Sequence, residues 1–427
     1  MKSSVLANSP VPLPEPTSET ALRQAAARPL PVISTSAQLL LMCARESLDK
    51  EQREVLQQLC KQIEDWSVVV QQARFRLIVA LVYHHLSRMP RGLVPEPVID
   101  ELKNSARRVT FRGLKMTAVH HRLVNDVLLP LKIPYLFFKG PSLAYTFYKE
   151  PALRQFRDID LLIPRRYMVV VGQRLRTLGF QPYPNPRLAS DSGLHFQQRF
   201  IGMMDWISPE GILVEMPSSL DDWDRLPTDE LITNADQVEL GSLSIPVPSS
   251  TDLFCYLCKH HTRHHWARLH WIADLNVILD HESFNLQAIR KRAEHRDLKR
   301  TVDAALAIRR AVALPEPWKA KFSDPFAHEL FRHCLTNLEG DFDQELALRA
   351  AFPATSIDID PALRRRRFRL QRNASRFRPD KDDFVDFPLP AGWHWLYFLL
   401  RPFLWSFRKL RRRDDYSAEV KTTKRTE

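Results

Sequence analysis

Asp158 and Asp160 stand at alternate positions in the apolar run Asp158-Ile159-Asp160-Leu161-Leu162-Ile163. On a strand, residues two apart project to the same face, so the two carboxylates lie side by side, roughly 6 to 7 Å apart at Cα. Two unpaired acids at that distance repel each other, and a hard cation bound through oxygen ligands satisfies both; Mg²⁺ is the expected ion, with Mn²⁺ the alternative. Upstream, residues 131–138 read as an apolar strand that breaks at Lys139-Gly140-Pro141-Ser142 into a helix. Gly140 lets the backbone approach a phosphate with no Cβ in the way. Pro141 suits the first turn of a helix whose amides favour anions, and Ser142 adds a hydroxyl. For the same phosphate, Lys139 offers a point charge and Arg154 a bidentate fork. Taken alone, these residues are more often those of a solvated strand end and a charged surface.

Taken together and in order, the blocks resemble the uncharacterised nucleotidyltransferase family, a branch of the DNA polymerase β-like nucleotidyltransferase superfamily. The matching residues are Lys139, Gly140, Arg154, Asp158, Ile159, Asp160, Leu161 and Leu162. The likeness continues through Leu178-Gly179-Phe180 and through residues 249–279, similar to a family pattern of spaced histidines, tryptophans and a Trp-x-x-Asp-Leu run. This resemblance implies an α+β fold, with a mixed-sheet nucleotidyltransferase core flanked by N- and C-terminal helical segments. It also implies Mg²⁺-dependent transfer of a nucleoside monophosphate from an NTP to a hydroxyl of a small-molecule, saccharide or protein acceptor, with release of pyrophosphate.

A third carboxylate from a neighbouring strand is implied as well. Glu215, in an apolar run after the turn Ser208-Pro209-Glu210-Gly211, is the candidate, and Asp205 is the reserve. His260 and His264 are implied as parts of a helical motif reaching the nucleotide. Where the family has His-Trp after its third acid, this chain has Pro217 and Ser218. That departure supports a second reading, a degenerate fold that binds nucleotide or a partner without turnover.

Positioning such a site takes a scaffold, and 427 residues with 44% hydrophobic content can supply two or three domains. Only 11 glycines occur, too few for a glycine-rich β architecture. Residues 1–35 read as a flexible Pro-rich arm, 36–129 as helices, 130–248 as the catalytic core, 249–345 as a second helical region, and 346–427 as a basic, aromatic tail. Five irregularly spaced cysteines and the lack of an opening signal pattern point to the cytoplasm. Cys255, Cys258 and the histidines that follow include enough ligands for zinc, but one continuous helix cannot wrap four of them around an ion, so a packed or substrate-facing helix is the expectation.

The net charge of +12 is unevenly spread. Residues 361–427 hold 18 basic and 8 acidic side chains, leaving the first 360 residues at only +2. A nearly neutral body argues against a polynucleotide acceptor. Within the tail, residues 393–413 combine Trp393, Trp395, Tyr397 and Trp405 with an Arg401-Pro402 interruption and a basic cluster. The run is too short to span a bilayer but suits peripheral contact at the inner face of a membrane; packing back on the helical body is the alternative.

Overall fold

The computed structural model describes residues 28–221, 225–351, 377–404 and Arg408. Its first helices begin where the sequence supplies caps. Ser34 accepts the Ala37 amide ahead of helix Thr35–Cys43, and Asp49 forms a reciprocal capping box with Gln52 ahead of Lys50–Lys61. Helices Trp66–Phe75 and Val79–Leu86 follow. The 28-residue helix Glu96–Leu123, about 42 Å long at 1.5 Å per residue, then runs into a π-helical turn, Val124–Leu128.

Among the described residues, seven strands make two sheets. They are β1 (Leu136–Phe137), β2 (Asp158–Leu162), β3 (Gln181–Tyr183), β4 (Met203–Ile207), β5 (Leu213–Pro217), β6 (Asp236–Leu240) and β7 (Leu243–Val247). The larger sheet has the order β1-β2-β5-β4-β3, and β6 and β7 pair as a hairpin. Only β2 and β5 are parallel; the other pairs are antiparallel. A parallel pair needs a crossover, and helix Met168–Thr177, β3, helix Asp191–Phe196 and β4 all lie between the two. The first strand is shorter than the run 131–138 suggests. The Ile133 amide returns to the Leu128 carbonyl and Lys132 adopts φ +51°, so the helical exit consumes the start of the apolar segment.

Strand alternation divides the large sheet into an apolar and an acidic face. Ile159, Leu161, Met204, Trp206, Val214 and Met216 are buried in one core with Met116, Val119 and Leu123 of the long helix. The residues between them, Asp158, Asp160, Asp205 and Glu215, fall on the opposite face. A second core joins the two helical regions, since Leu39, Leu41 and Val82 share it with Leu253, Val302 and Phe331. Arg76, fully buried, stitches the same regions by donating to the carbonyls of Ala267 and Gly340. A third, small cluster packs Phe384 and Tyr397 against Leu188, Phe196 and Phe200 and so seats residues 377–404 beside the sheet. Residues 397–404 are helical throughout, so Pro402 does not interrupt them. Its missing N–H costs one helical bond within a turn held by side-chain packing.

Candidate active site

Register brings the acids together. Asp160 on β2 is the Cα partner of Glu215 on β5, which is in turn the partner of Asp205 on β4. Three carboxylates thus form a row across three adjacent strands, with Asp158 beside it one alternate position along β2. Asp160 is buried, while Asp158 and Glu215 are half-buried. Burial, then the charges of Asp160 and Asp158, pushes the Glu215 carboxyl up to about 8. Burial also raises Asp160, to about 6, against the pull of Lys139. Burial first, and repulsion between neighbouring carboxylates second, thus oppose full ionisation of the row.

Two lysines approach it. Lys139 Nζ lies 2.7 Å from Asp160 Oδ1. Burial works against its charge, but Asp160, Tyr256 and Asp158 hold it above its ordinary value. Its ammonium also sits 5.4 Å from the Phe138 ring centroid and 6.0 Å from that of Tyr256. At the other end of the row, Lys381 Nζ contacts Asp205 Oδ2 at 2.5 Å, while Asp205 Oδ1 is buried without a hydrogen-bond partner among the described residues. An orphaned carboxylate oxygen next to Glu215 is the kind of oxygen donor a hard cation takes. As folded, no group of three or more His, Cys, Asp or Glu among the described residues is gathered closely enough to hold an ion.

The loop before β2 is fixed from behind. Gly140 adopts φ +61°, and a Cβ there would lie 3.0 Å from the Asp158 carbonyl oxygen. Gly140→Ala is therefore expected to destabilise by about 1–2 kcal/mol through left-handed backbone strain and to displace Asp158; urea unfolding and ligand titration would read the two effects separately. Ser142 is buried and donates to the Lys139 carbonyl at 2.7 Å, so its hydroxyl closes the loop.

Arg154 departs from the expected phosphate contact. Its Nε and Nη2 donate to Asp274 at 2.7 and 2.9 Å, and Nη1 donates to the Gly140 carbonyl at 3.0 Å. Tyr148 Oη completes the cluster by donating to Asp274 at 2.8 Å. With each of its three nitrogens bonded to Asp274 or Gly140 and only 5% of its surface exposed, Arg154 fixes the glycine loop from behind.

Helix Ser250–Arg263 supplies the remaining wall. Tyr256, His260 and His264 lie four residues apart on one face, with the Tyr256 hydroxyl 3.5 Å from His260 Nδ1. The His260 and His264 rings are 4.8 Å apart, and both lie against Trp271. Burial, then the Lys139 charge, holds His260 well below its ordinary value, so its ring is neutral and offers a hydrogen bond, not a cation. Cys255 and Cys258 are buried thiols in the helical core. Lys381, Tyr256 and Asp274 were not singled out from sequence. Four-residue spacing from the histidines could have found Tyr256, whereas Lys381 and Asp274 lie 176 and 120 residues from their partners.

A cavity of about 720 Å³ lies elsewhere, between the two helical regions, lined by Arg45, Glu46, Asp280 and Arg309 among others. It shares with the loop region only the end of helix Pro141–Phe147 and the segment that follows it.

A family model described as "Uncharacterised nucleotidyltransferase" matches residues 62–313, more than half of the chain. The match spans the long helix, both sheets and the histidine helix. No curated protein matches the chain.

Proposed function

The chain belongs to the uncharacterised nucleotidyltransferase family, and from that premise we propose that it transfers a nucleoside monophosphate from an NTP to an acceptor hydroxyl with the help of Mg²⁺. The observation that carries this reading is the acid row Asp160, Glu215 and Asp205 with Asp158 beside it. Asp158, Asp160 and Glu215 would hold the metal, which when bound supplies charge neutralisation for the triphosphate and Lewis-acid activation. The raised Glu215 carboxyl and the unpartnered Asp205 oxygen fit that demand for a cation.

The chain's own groups would do the rest. Lys139 exchanges Asp160 for a phosphate oxygen, guided by the Phe138 and Tyr256 rings. Gly140 keeps the backbone clear for the phosphates, and Arg154 with Asp274 fixes the loop that carries it. The neutral His260 orients a polar group of the nucleotide by hydrogen bonding. The acceptor is a small molecule, a saccharide or a protein side chain, consistent with the near-neutral body of the molecule.

The second reading, nucleotide binding without turnover, is favoured by one feature. At the position of the family's His-Trp pair, Ser218 instead anchors the end of β5 by donating from N and from Oγ to the Gly202 carbonyl, each at 2.8 Å.

Calorimetry with each of the four NTPs, with Mg²⁺ or EDTA, tests both readings. Because the Glu215 carboxyl lies at about 8, it is largely protonated at pH 7 and must ionise to bind a cation. Mg²⁺ binding is therefore expected to release protons below pH 8, and its apparent affinity to fall as pH is lowered through about 8 towards 6. Titration in buffers of different ionisation enthalpy reads the proton count. Mg²⁺-dependent NTP binding with pyrophosphate release favours transfer, binding without release favours the second reading, and no Mg²⁺-dependent binding removes both.

A further inference from the structure

Residues 391–404 divide their side chains into two stripes. His394, Tyr397 and Arg401 are buried at spacings of three and four, and Leu404 is half-buried on the same stripe. The Tyr397 hydroxyl donates to the Phe387 carbonyl at 2.7 Å, and Arg401 Nη1 reaches Asp383 Oδ2 at 2.5 Å and Asp380 Oδ2 at 3.1 Å. The opposite stripe is apolar and open to solvent. Trp393 is 60% exposed, Trp395 52%, Leu399 61% and Phe403 74%. Large apolar side chains exposed on one stripe of an element whose other stripe is fully anchored mark a contact surface.

We propose that this stripe is a membrane-surface docking element, inserting its tryptophans and Phe403 at the headgroup boundary of an anionic lipid layer. Charge selects that partner. Residues 361–427 carry 18 basic and 8 acidic side chains, with Lys409, Arg411, Arg412 and Arg413 directly following the stripe in sequence, outside the described residues. Such an excess attracts anionic headgroups and opposes a symmetric contact between two copies, which would set it against itself. Aromatic side chains beside Lys and Arg suit the interfacial zone. No helix of the described residues is long and apolar enough to cross a membrane, so the contact is peripheral. The docking element is also tied to the acid row, because helix Lys381–Asp386 holds both Arg401, through Asp383, and Asp205, through Lys381. This inference stands without the transfer chemistry.

The test is sedimentation of the full chain with vesicles of phosphatidylcholine containing no phosphatidylglycerol or about 30 mol% of it, at low and high salt, with tryptophan emission as a second readout. Wild type is expected to bind the anionic vesicles in a salt-sensitive way, with a blue shift, and to leave the zwitterionic ones largely unbound. A triple variant, Trp393→Ser, Trp395→Ser and Phe403→Ser, changes only exposed side chains. It is expected to keep its circular dichroism and lose roughly tenfold or more in binding. A Lys409→Gln, Arg411→Gln, Arg412→Gln, Arg413→Gln variant is expected to weaken binding and flatten its salt dependence. Failure of wild type to bind anionic vesicles, or equal binding by the triple variant, overturns the proposal. So does a wild-type dimer that the triple variant abolishes in the absence of any vesicle binding, which would assign the stripe to a second copy.

Discussion

Asp160→Asn is expected to abolish metal-dependent nucleotide binding and to lower any transfer rate by roughly a thousandfold or more. Asp160 is the central acid of β2, registered against Glu215 and paired with Lys139, so the change removes one negative charge from a site that must offset a cation and a polyphosphate. Its effect on stability is expected to be mixed. Losing the 2.7 Å pair leaves the Lys139 ammonium in a largely buried position, while the Glu215 carboxyl is relieved of its strongest charged neighbour. A net loss of about 1–3 kcal/mol in urea unfolding is the expected balance. Asp158→Asn removes a repelling charge that has no such ion pair among the described residues, so it should leave stability unchanged or raised while impairing metal binding. Calorimetric titration of the two variants against wild type decides the matter. Nucleotide and Mg²⁺ binding unchanged in the Asp158→Asn, Asp160→Asn double variant would move the metal site away from β2.

Asp274→Asn should be the most destabilising single change in the loop region, by about 3–5 kcal/mol. Asp274 is fully buried and receives two Arg154 donors and the Tyr148 hydroxyl. Removing its charge strands a guanidinium that is itself 5% exposed, and the Arg154 bond to the Gly140 carbonyl then holds the loop against a mobile anchor. Arg154→Met should cost a similar amount, and the double variant Arg154→Met, Asp274→Leu clearly less than the sum, because no charge is left without its partner. Arg154→Lys should not restore the network, since an ammonium cannot bond both carboxylate oxygens and the carbonyl in one plane. Urea unfolding of the four proteins measures this. A stable Arg154→Met protein with weakened NTP binding would instead return Arg154 to the phosphates.

Local pattern made the acid-bearing strands readable. Alternation in Asp158-Ile159-Asp160 and in Val214-Glu215-Met216 places the acids on one face and the apolar residues on the other, as the sheet has them. The mixed α+β class came from the resemblance to the nucleotidyltransferase family, with which helical periodicity around these short strands agrees. What alternation cannot carry is register. Nothing near Asp205 signals that it sits opposite Glu215, or that its counter-ion comes from Lys381, beyond a stretch of chain that carries no pattern connecting the two. The Arg154 anchor is invisible locally for the same reason. Its neighbours in sequence are the site, whereas its partner is a buried aspartate on helix Leu269–Leu279. The two helical regions look like separate blocks in sequence because each is periodic in itself, and only the apolar faces they turn toward each other make them one core.

That shared core has a consequence during synthesis. Ala37, Leu39, Leu41 and the other apolar residues of helix Thr35–Cys43 are buried with Phe331 and Leu335, and the Ser34 amide donates to Glu339. Gln52 and Arg45 likewise donate to the carbonyls of Ala313 and Val312. Closing contacts of such long sequence separation come late and slow folding. At roughly 5–20 residues per second, the ribosome needs about 15–60 s to make the chain between the first helix and its cover. For that interval the opening helices carry an uncovered apolar face on a nascent chain, long enough for a holding chaperone to engage it, and a translational pause before residue 340 would lengthen the exposure.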